Sequence, residues 1–182
     1  GLAQSLNQEP FPHLVGLCAR FLGSGSLDGK MDTSNWYRNF PYGDRLASFL
    51  IPRDLLPDFL AANAQRLLLP AHYMESAGWL QFDSHLRQAI TITPAKAVVD
   101  DFEFRLHADS NESSSKIRLF TQAYVACGSG GYRNRFAAIG LEPEDVTVYP
   151  VSLREYMWDS AKQFGPVRND PIDDRLRILP AN

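Results

Sequence analysis

The spacing of apolar residues favours helices in the first half of the chain. Apolar side chains recur at the spacing of one helix face in residues 12–22, 44–50 and 54–68. The same spacing continues through residues 71–89, although Gly78 interrupts it. We therefore expect helices over all four ranges, with loops between them.

The second half changes to the alternation that is typical of half-buried strands. Alternating apolar and polar residues predict strands over residues 90–93, 101–107, 117–125, 136–141 and 146–151. A polar tract separates the runs 101–107 and 117–125, so these two are interpreted as an antiparallel hairpin with a long loop. Ser152 and Glu155 form a capping box, which predicts a helix that ends before Gly165.

These elements predict an α+β fold. We expect N-terminal helices packed on a mostly antiparallel sheet of about four strands, followed by a C-terminal helix and an extended tail. Residues 1–166 would form a single domain and residues 167–182 an extended arm. The length of 182 residues suits one domain that stays folded without a disulfide framework or a structural metal.

Composition and charge exclude some classes of function. Lys and Arg number 18 against 21 Asp and Glu, and this net charge of -3 disfavours a nucleic-acid binder, which needs a basic surface. No apolar run is long enough to insert into a membrane. Cys18 and Cys127 fit a reduced compartment or a single disulfide equally well, so the sequence does not decide between cytoplasm and periplasm.

Residues 35–45 are rich in aromatic and arginine side chains and follow neither a helix nor a strand period. This mix is enriched in the energetically dominant part of protein interfaces, but aromatic residues can equally anchor a loop on the core. The candidate binding residues are Trp36, Tyr37, Arg38, Phe40, Tyr42 and Arg45.

A glycine-rich turn follows the predicted strand 117–125. Bare backbone N–H groups and two guanidinium groups could hold an anion there, which makes Gly130, Gly131, Arg133 and Arg135 candidate anion-binding residues. The turn lacks the Lys-Ser or Lys-Thr pair of a nucleotide-binding P-loop. A plain connection between two strands is the alternative interpretation.

No convincing catalytic set emerges. Asp101, His107 and Cys127 are candidates for a nucleophile with its base, but Cys127 and His107 would point to opposite faces of a regular hairpin. The four histidines have no metal-ligand spacing, and we predict neither a metal nor a cofactor.

The sequence favours a non-enzymatic interaction domain, a subunit or adaptor of a larger bacterial assembly such as a secretion machine, with another protein as partner. One alternative is a small-molecule enzyme or binder with a pocket between helices and sheet, using Asp101, His107 and Tyr124. Another is an inhibitor or immunity-type protein. The sequence alone does not decide whether the chain is an enzyme.

Overall fold

Two β-sheets and five α-helices make up the part of the chain that the structure, a computed structural model, describes: residues 11–18, 32–68, 78–83, 85–105, 113–164 and 176–180. In chain order the elements are β1 (His13–Cys18), α1 (Thr33–Asn39), β2 (Arg45–Pro52), α2 (Leu56–Ala64), β3 (Leu80–Phe82), β4 (Leu86–Ile92), β5 (Ala97–Phe104), β6 (Lys116–Gln122), α3 (Ala123–Ala126), α4 (Tyr132–Ala138), β7 (Glu144–Ser152), α5 (Leu153–Phe164) and β8 (Leu176–Pro180). Short 3-10 turns flank α2.

The larger sheet has five strands in the order β3-β1-β6-β2-β7. Strand β6 runs parallel to β1 and antiparallel to β2, and the remaining pairs, β1–β3 and β2–β7, are antiparallel. Because β2 and β6 are central and covered on both faces, nearly all of their side chains are buried.

The smaller sheet has three strands in the order β5-β4-β8. Strand β4 is antiparallel to β5 and parallel to β8, which brings residues 176–180 beside residues 88–92. Residues 167–182, which were predicted as an extended arm, therefore contain strand β8.

One cluster of buried residues spans the two sheets. Buried residues of the larger sheet, such as Leu14, Phe49 and Ile117, belong to the same cluster as Leu86 of β4. Helix α2 contributes Phe59 and Leu60 to that cluster. The helix therefore packs where the sheets meet, and burying these apolar side chains is the main source of stability.

The α+β class predicted from the sequence is confirmed, and four of the six strand pairings in the described part are antiparallel. The number of strands and their partners differ from the prediction. Residues 13–18 and 45–52 are strands where helices were predicted, and the described part of 71–89 contains β3 and the start of β4. The helix predicted over 54–68 is confirmed as α2 with its flanking turns.

The second half also contains errors. The predicted hairpin is wrong, since β5 pairs with β4 while β6 pairs with β1 and β2 in the other sheet. Residues 136–141 begin as helix α4 and not as a strand. Strand β7 and helix α5 are confirmed, and the Glu155 N–H lies 3.5 Å from the Ser152 hydroxyl oxygen as the capping box requires.

Helices of the described segments are too short or too polar for any of them to cross a membrane.

Candidate ligand-binding site

Three segments meet at one end of the larger sheet. Strands β2 and β6 pair in antiparallel register with Leu46 opposite Gln122, so the chain before β2 lies beside the chain after β6. Ser152, at the end of β7, pairs with Arg45. We call this region the sheet end: the loop 40–45, the segment 123–131, and residues 152–154.

The loop 40–45 is held by Arg154 from the first turn of α5. Its guanidinium donates hydrogen bonds to the carbonyl oxygens of Pro41 at 3.2 Å and Phe40 at 3.5 Å, and lies 4.3 Å from the centre of the Tyr37 ring. The Trp36 indole N–H donates to the Arg154 carbonyl oxygen at 3.2 Å. The loop therefore has a defined position against α5.

Asp44 connects this loop to the segment after β6. Its carboxylate accepts hydrogen bonds from the Tyr124 N–H at 3.3 Å and the Arg45 N–H at 2.9 Å. Burial raises the pKa of Asp44 above its ordinary value of 3.8, while the two backbone hydrogen bonds oppose that shift. A helix was predicted over residues 44–50, but Asp44 directly precedes strand β2 and its carboxylate supports the start of α3.

The turn between α3 and α4 depends on glycine. Gly128, Gly130 and Gly131 have φ values of 77°, 61° and 81°, which side chains rarely adopt. A Cβ on Gly130 would lie 2.4 Å from the Tyr124 hydroxyl oxygen. The turn therefore joins two helices, and the predicted strand-to-strand connection is wrong.

A buried arginine donates a hydrogen bond to this turn. Arg66 is 1% exposed, and its guanidinium donates to the Gly130 carbonyl oxygen at 3.0 Å and lies 4.4 Å from the centre of the Tyr132 ring. The Tyr132 hydroxyl donates to the Gly78 carbonyl oxygen. Burial raises the pKa of Tyr132 above its ordinary value of 10.0, so this hydroxyl stays a donor at neutral pH.

The six aromatic and arginine residues predicted to bind a partner separate into two groups. Trp36 and Phe40 are buried in a cluster with Leu46, Phe120 and Leu153. These two residues therefore anchor the segment on the core, as the alternative interpretation expected. The side chains of Tyr37, Arg38, Tyr42 and Arg45 are exposed. Residues 33–39 are helical, so the expectation that this stretch has no regular structure is wrong.

The structure brings two sequence-predicted segments together, because Tyr42 and Arg45 lie at the same sheet end as the glycine turn with Gly130 and Gly131. The two arginines after the turn have different surroundings. Arg135 donates to the Ala62 carbonyl oxygen at 3.2 Å and so contacts α2. Arg133 is exposed and lines a groove behind the turn.

The catalytic candidates are not assembled by the described residues. Asp101 is exposed on β5 of the smaller sheet, whereas Cys127 follows α3 beside the larger sheet. His107 lies outside the described residues. Across the described segments, no group of three or more His, Cys, Asp or Glu residues is arranged to hold a metal ion.

Sequence reasoning missed three residues that shape this site: Asp44 as a link between loops, Arg66 beneath the turn, and Arg154 against the loop. Nothing in the sequence marked Arg66, because it belongs to a helical stretch like many exposed arginines. The aromatic character of residues 35–45 was the useful signal for the sheet end.

No known family model matches the sequence, and no curated protein matches it either. Solved structures with the same fold do exist. The chain resembles a 5'-nucleotidase precursor of Thermus thermophilus with a TM-score of 0.71 and 18% identity over 98% of its length. It also resembles the NAD nucleotidase of Haemophilus influenzae, with a TM-score of 0.69 and 15% identity over its full length.

A third similar structure is the sulfate thiohydrolase SoxB of Thermus thermophilus, with a TM-score of 0.55 and 15% identity over the full length. The chain spans 33%, 32% and 31% of these three proteins, in the order given, and thus about a third of each.

These likenesses correct the functional hypothesis. All three similar proteins are enzymes, and essentially the whole chain has the fold of a part of each. A non-enzymatic subunit or adaptor is therefore the wrong expectation, and the alternative of a small-molecule enzyme or binder agrees better with the fold.

Proposed function

We propose that this chain is the nucleotide-binding part of a nucleotidase-type enzyme. The observation that carries the proposal is the likeness of the chain, over 98% and 100% of its length, to a 5'-nucleotidase and an NAD nucleotidase. Because a fold alone does not determine function, the proposal also requires side chains that can bind a nucleotide.

The sheet end offers two side chains suited to a nucleotide. Tyr42 is 54% exposed, and no other described residue makes a contact with its ring or a hydrogen bond with its hydroxyl. An exposed aromatic ring on a fixed loop is a surface on which a nucleobase stacks. The Arg45 side chain, three residues away, is also exposed and lacks an ionic or hydrogen-bonding partner among the described residues. A guanidinium in this position can bind a phosphate group with two hydrogen bonds.

Support for these two residues comes from contacts already described. Arg154 holds the loop that carries Tyr42, and Asp44 fixes the loop to the start of α3. A preorganised loop loses less conformational entropy when a ligand binds. The sheet end is therefore suited to orienting a nucleoside monophosphate.

The test is calorimetric titration of the full chain with AMP, adenosine and inorganic phosphate. Replacing Tyr42→Leu removes the stacking surface at similar volume and should weaken AMP and adenosine alike, by about 5- to 50-fold. Tyr42→Phe retains the ring and should bind as the parent protein does. Arg45→Gln should weaken AMP while leaving adenosine unchanged, since adenosine has no phosphate.

Arg105→Gln is the matched control for charge, because Arg105 is exposed directly after β5 and its guanidinium lies 3.2 Å from the Glu103 carboxylate. It should leave all three affinities unchanged. Equal AMP affinity in Tyr42→Leu and Tyr42→Phe would contradict the stacking role. Failure of the parent protein to bind either AMP or adenosine would contradict the proposed function itself.

A further inference from the structure

A groove of about 420 Å³ lies behind the glycine turn, and neither Tyr42 nor Arg45 of the proposed nucleotide site lines it. It runs between the segment 126–128, helix α4 and the chain that leads into β7. This volume falls in the range of small-molecule sites. Its apolar wall includes Phe136 and Leu141, both buried, together with Pro143.

Two opposite charges line the same groove. Arg133 lies just after the turn and Glu142 just before β7, and both side chains are exposed. Within the described residues neither side chain has a hydrogen-bond or ion-pair partner, and the two do not pair with each other. A cation and an anion beside one apolar wall are complementary to a ligand that carries both charges and an apolar body.

We propose that this groove is a second binding site, which takes a small zwitterion with an apolar side chain, that is, an apolar α-amino acid. The ligand carboxylate would pair with the Arg133 guanidinium through two hydrogen bonds. The ligand ammonium group would pair with the Glu142 carboxylate. The ligand side chain would pack on Phe136, Leu141 and Pro143, where its burial from water favours binding.

Cys127 provides a reporter inside the groove. It is exposed and lines the groove, whereas Cys18, the other thiol, is 2% exposed. In alkylation by iodoacetamide the Cys127 thiolate sulfur forms the new C–S bond and iodide leaves. A ligand seated in the groove should block this access.

The experiment measures the alkylation rate of Cys127 in the full chain with increasing leucine, with leucinamide, and with 4-methylpentanoate. Leucine at saturation should slow the reaction at least about fivefold. Leucinamide lacks the carboxylate and 4-methylpentanoate lacks the ammonium group, so each should need about tenfold more ligand for the same protection, as expected when one ion pair is lost. Cys127→Ala should abolish the labelling and so assign it to this residue.

Arg133→Gln and Glu142→Gln should each raise the leucine concentration for half-protection about tenfold. Glu144→Gln is the matched control: Glu144 lies two residues from Glu142 but pairs with Lys116 outside the groove, so leucine protection should be unchanged. An alkylation rate that leucine does not alter would overturn the proposal. Equal protection by 4-methylpentanoate, or protection by AMP and not by leucine, would overturn it as well.

Discussion

Gly78 lies directly against the guanidinium of Arg66, and this contact leaves no room for a side chain. A Cβ on Gly78 would lie 1.9 Å from an Arg66 guanidinium nitrogen. Gly78→Ala must therefore displace a buried charge from the Gly130 carbonyl oxygen and from the Tyr132 ring. We expect the free energy of unfolding in urea to fall by about 1–3 kcal/mol.

Gly43→Ala is the control for this substitution. A Cβ on Gly43 would lie 3.5 Å from an Arg154 nitrogen, which is an ordinary contact. Its effect should stay within about 1 kcal/mol and in the stabilising direction, because alanine restricts the unfolded chain. Equal destabilisation by the two substitutions would mean that Arg66 does not determine the cost at Gly78.

Individual site residues were predictable from the sequence only where one residue type, aromatic or glycine, is concentrated in a short segment. The aromatic stretch and the glycine turn drew attention to Tyr42, Arg45, Gly130 and Gly131, and the fold places all four at one sheet end. The same reasoning included Trp36, which is buried, because composition does not reveal which aromatic side chains face the core.

At the scale of elements, helix α5 and the loop 40–45 depend on each other through Arg154. Arg154→Ala removes the hydrogen bonds to Phe40 and Pro41 and the contact with the Tyr37 ring. We expect a loss of about 1–2 kcal/mol in stability. Amide hydrogen exchange should accelerate at Tyr42, Gly43 and Arg45, since the loop opens more easily.

Arg154→Lys should give an intermediate result, because the ammonium group can still donate to a loop carbonyl oxygen but lacks the planar guanidinium that lies over the Tyr37 ring. Arg105→Ala, which removes an exposed ion pair with Glu103, should cost less than about 0.5 kcal/mol and leave exchange in the loop unchanged. Unchanged exchange in Arg154→Ala would show that the loop is fixed by other contacts.

The sequence pattern fails where a strand is buried on both faces. Strand β2 lies between β6 and β7, and its side chains are buried on both faces of the sheet. Most of its residues are therefore apolar, and the alternation that identifies a half-buried strand is lost. A helical spacing can then be fitted to the same residues. Strand β1 was also predicted as helical, for a different reason: its burial alternates, but Val15 and Leu17 on the less buried face are apolar too, so the sequence shows no alternation. Alternation correctly indicated residues 101–104 of β5 and 117–122 of β6, although residues 123–125 belong to helix α3. It carries no information about which strand pairs with which: β5 pairs with its neighbour β4, and β6 pairs with the distant strands β1 and β2.

At the scale of the whole molecule, one cluster of buried residues includes side chains of both sheets. Leu86 of β4 is buried with residues of the larger sheet, and Val99, Phe102 and Phe104 of β5 pack against the same cluster. Helix α2 contacts both sides, with Phe59 in the shared cluster and Ala64 beside Trp79 and Ile90. Exposing the smaller sheet would therefore also uncover apolar surface of the larger one.

We expect the two sheets to unfold in a single cooperative transition, because neither can lose its packing without costing the other buried apolar area. The tryptophans lie in two different clusters. The ring centres of Trp36 and Trp158 are 5.2 Å apart in a cluster on the larger sheet, whereas Trp79, which directly precedes β3, packs with Ile90 of the smaller sheet. In Trp79→Phe the fluorescence follows the cluster around Trp36 on the larger sheet, and in the double variant Trp36→Phe, Trp158→Phe it follows the packing of Trp79 on the smaller sheet. Within each variant, the urea midpoint from fluorescence should coincide with the midpoint from far-ultraviolet circular dichroism. Midpoints that differ in both variants, with the smaller sheet lost first, would mean that the shared cluster does not couple the sheets.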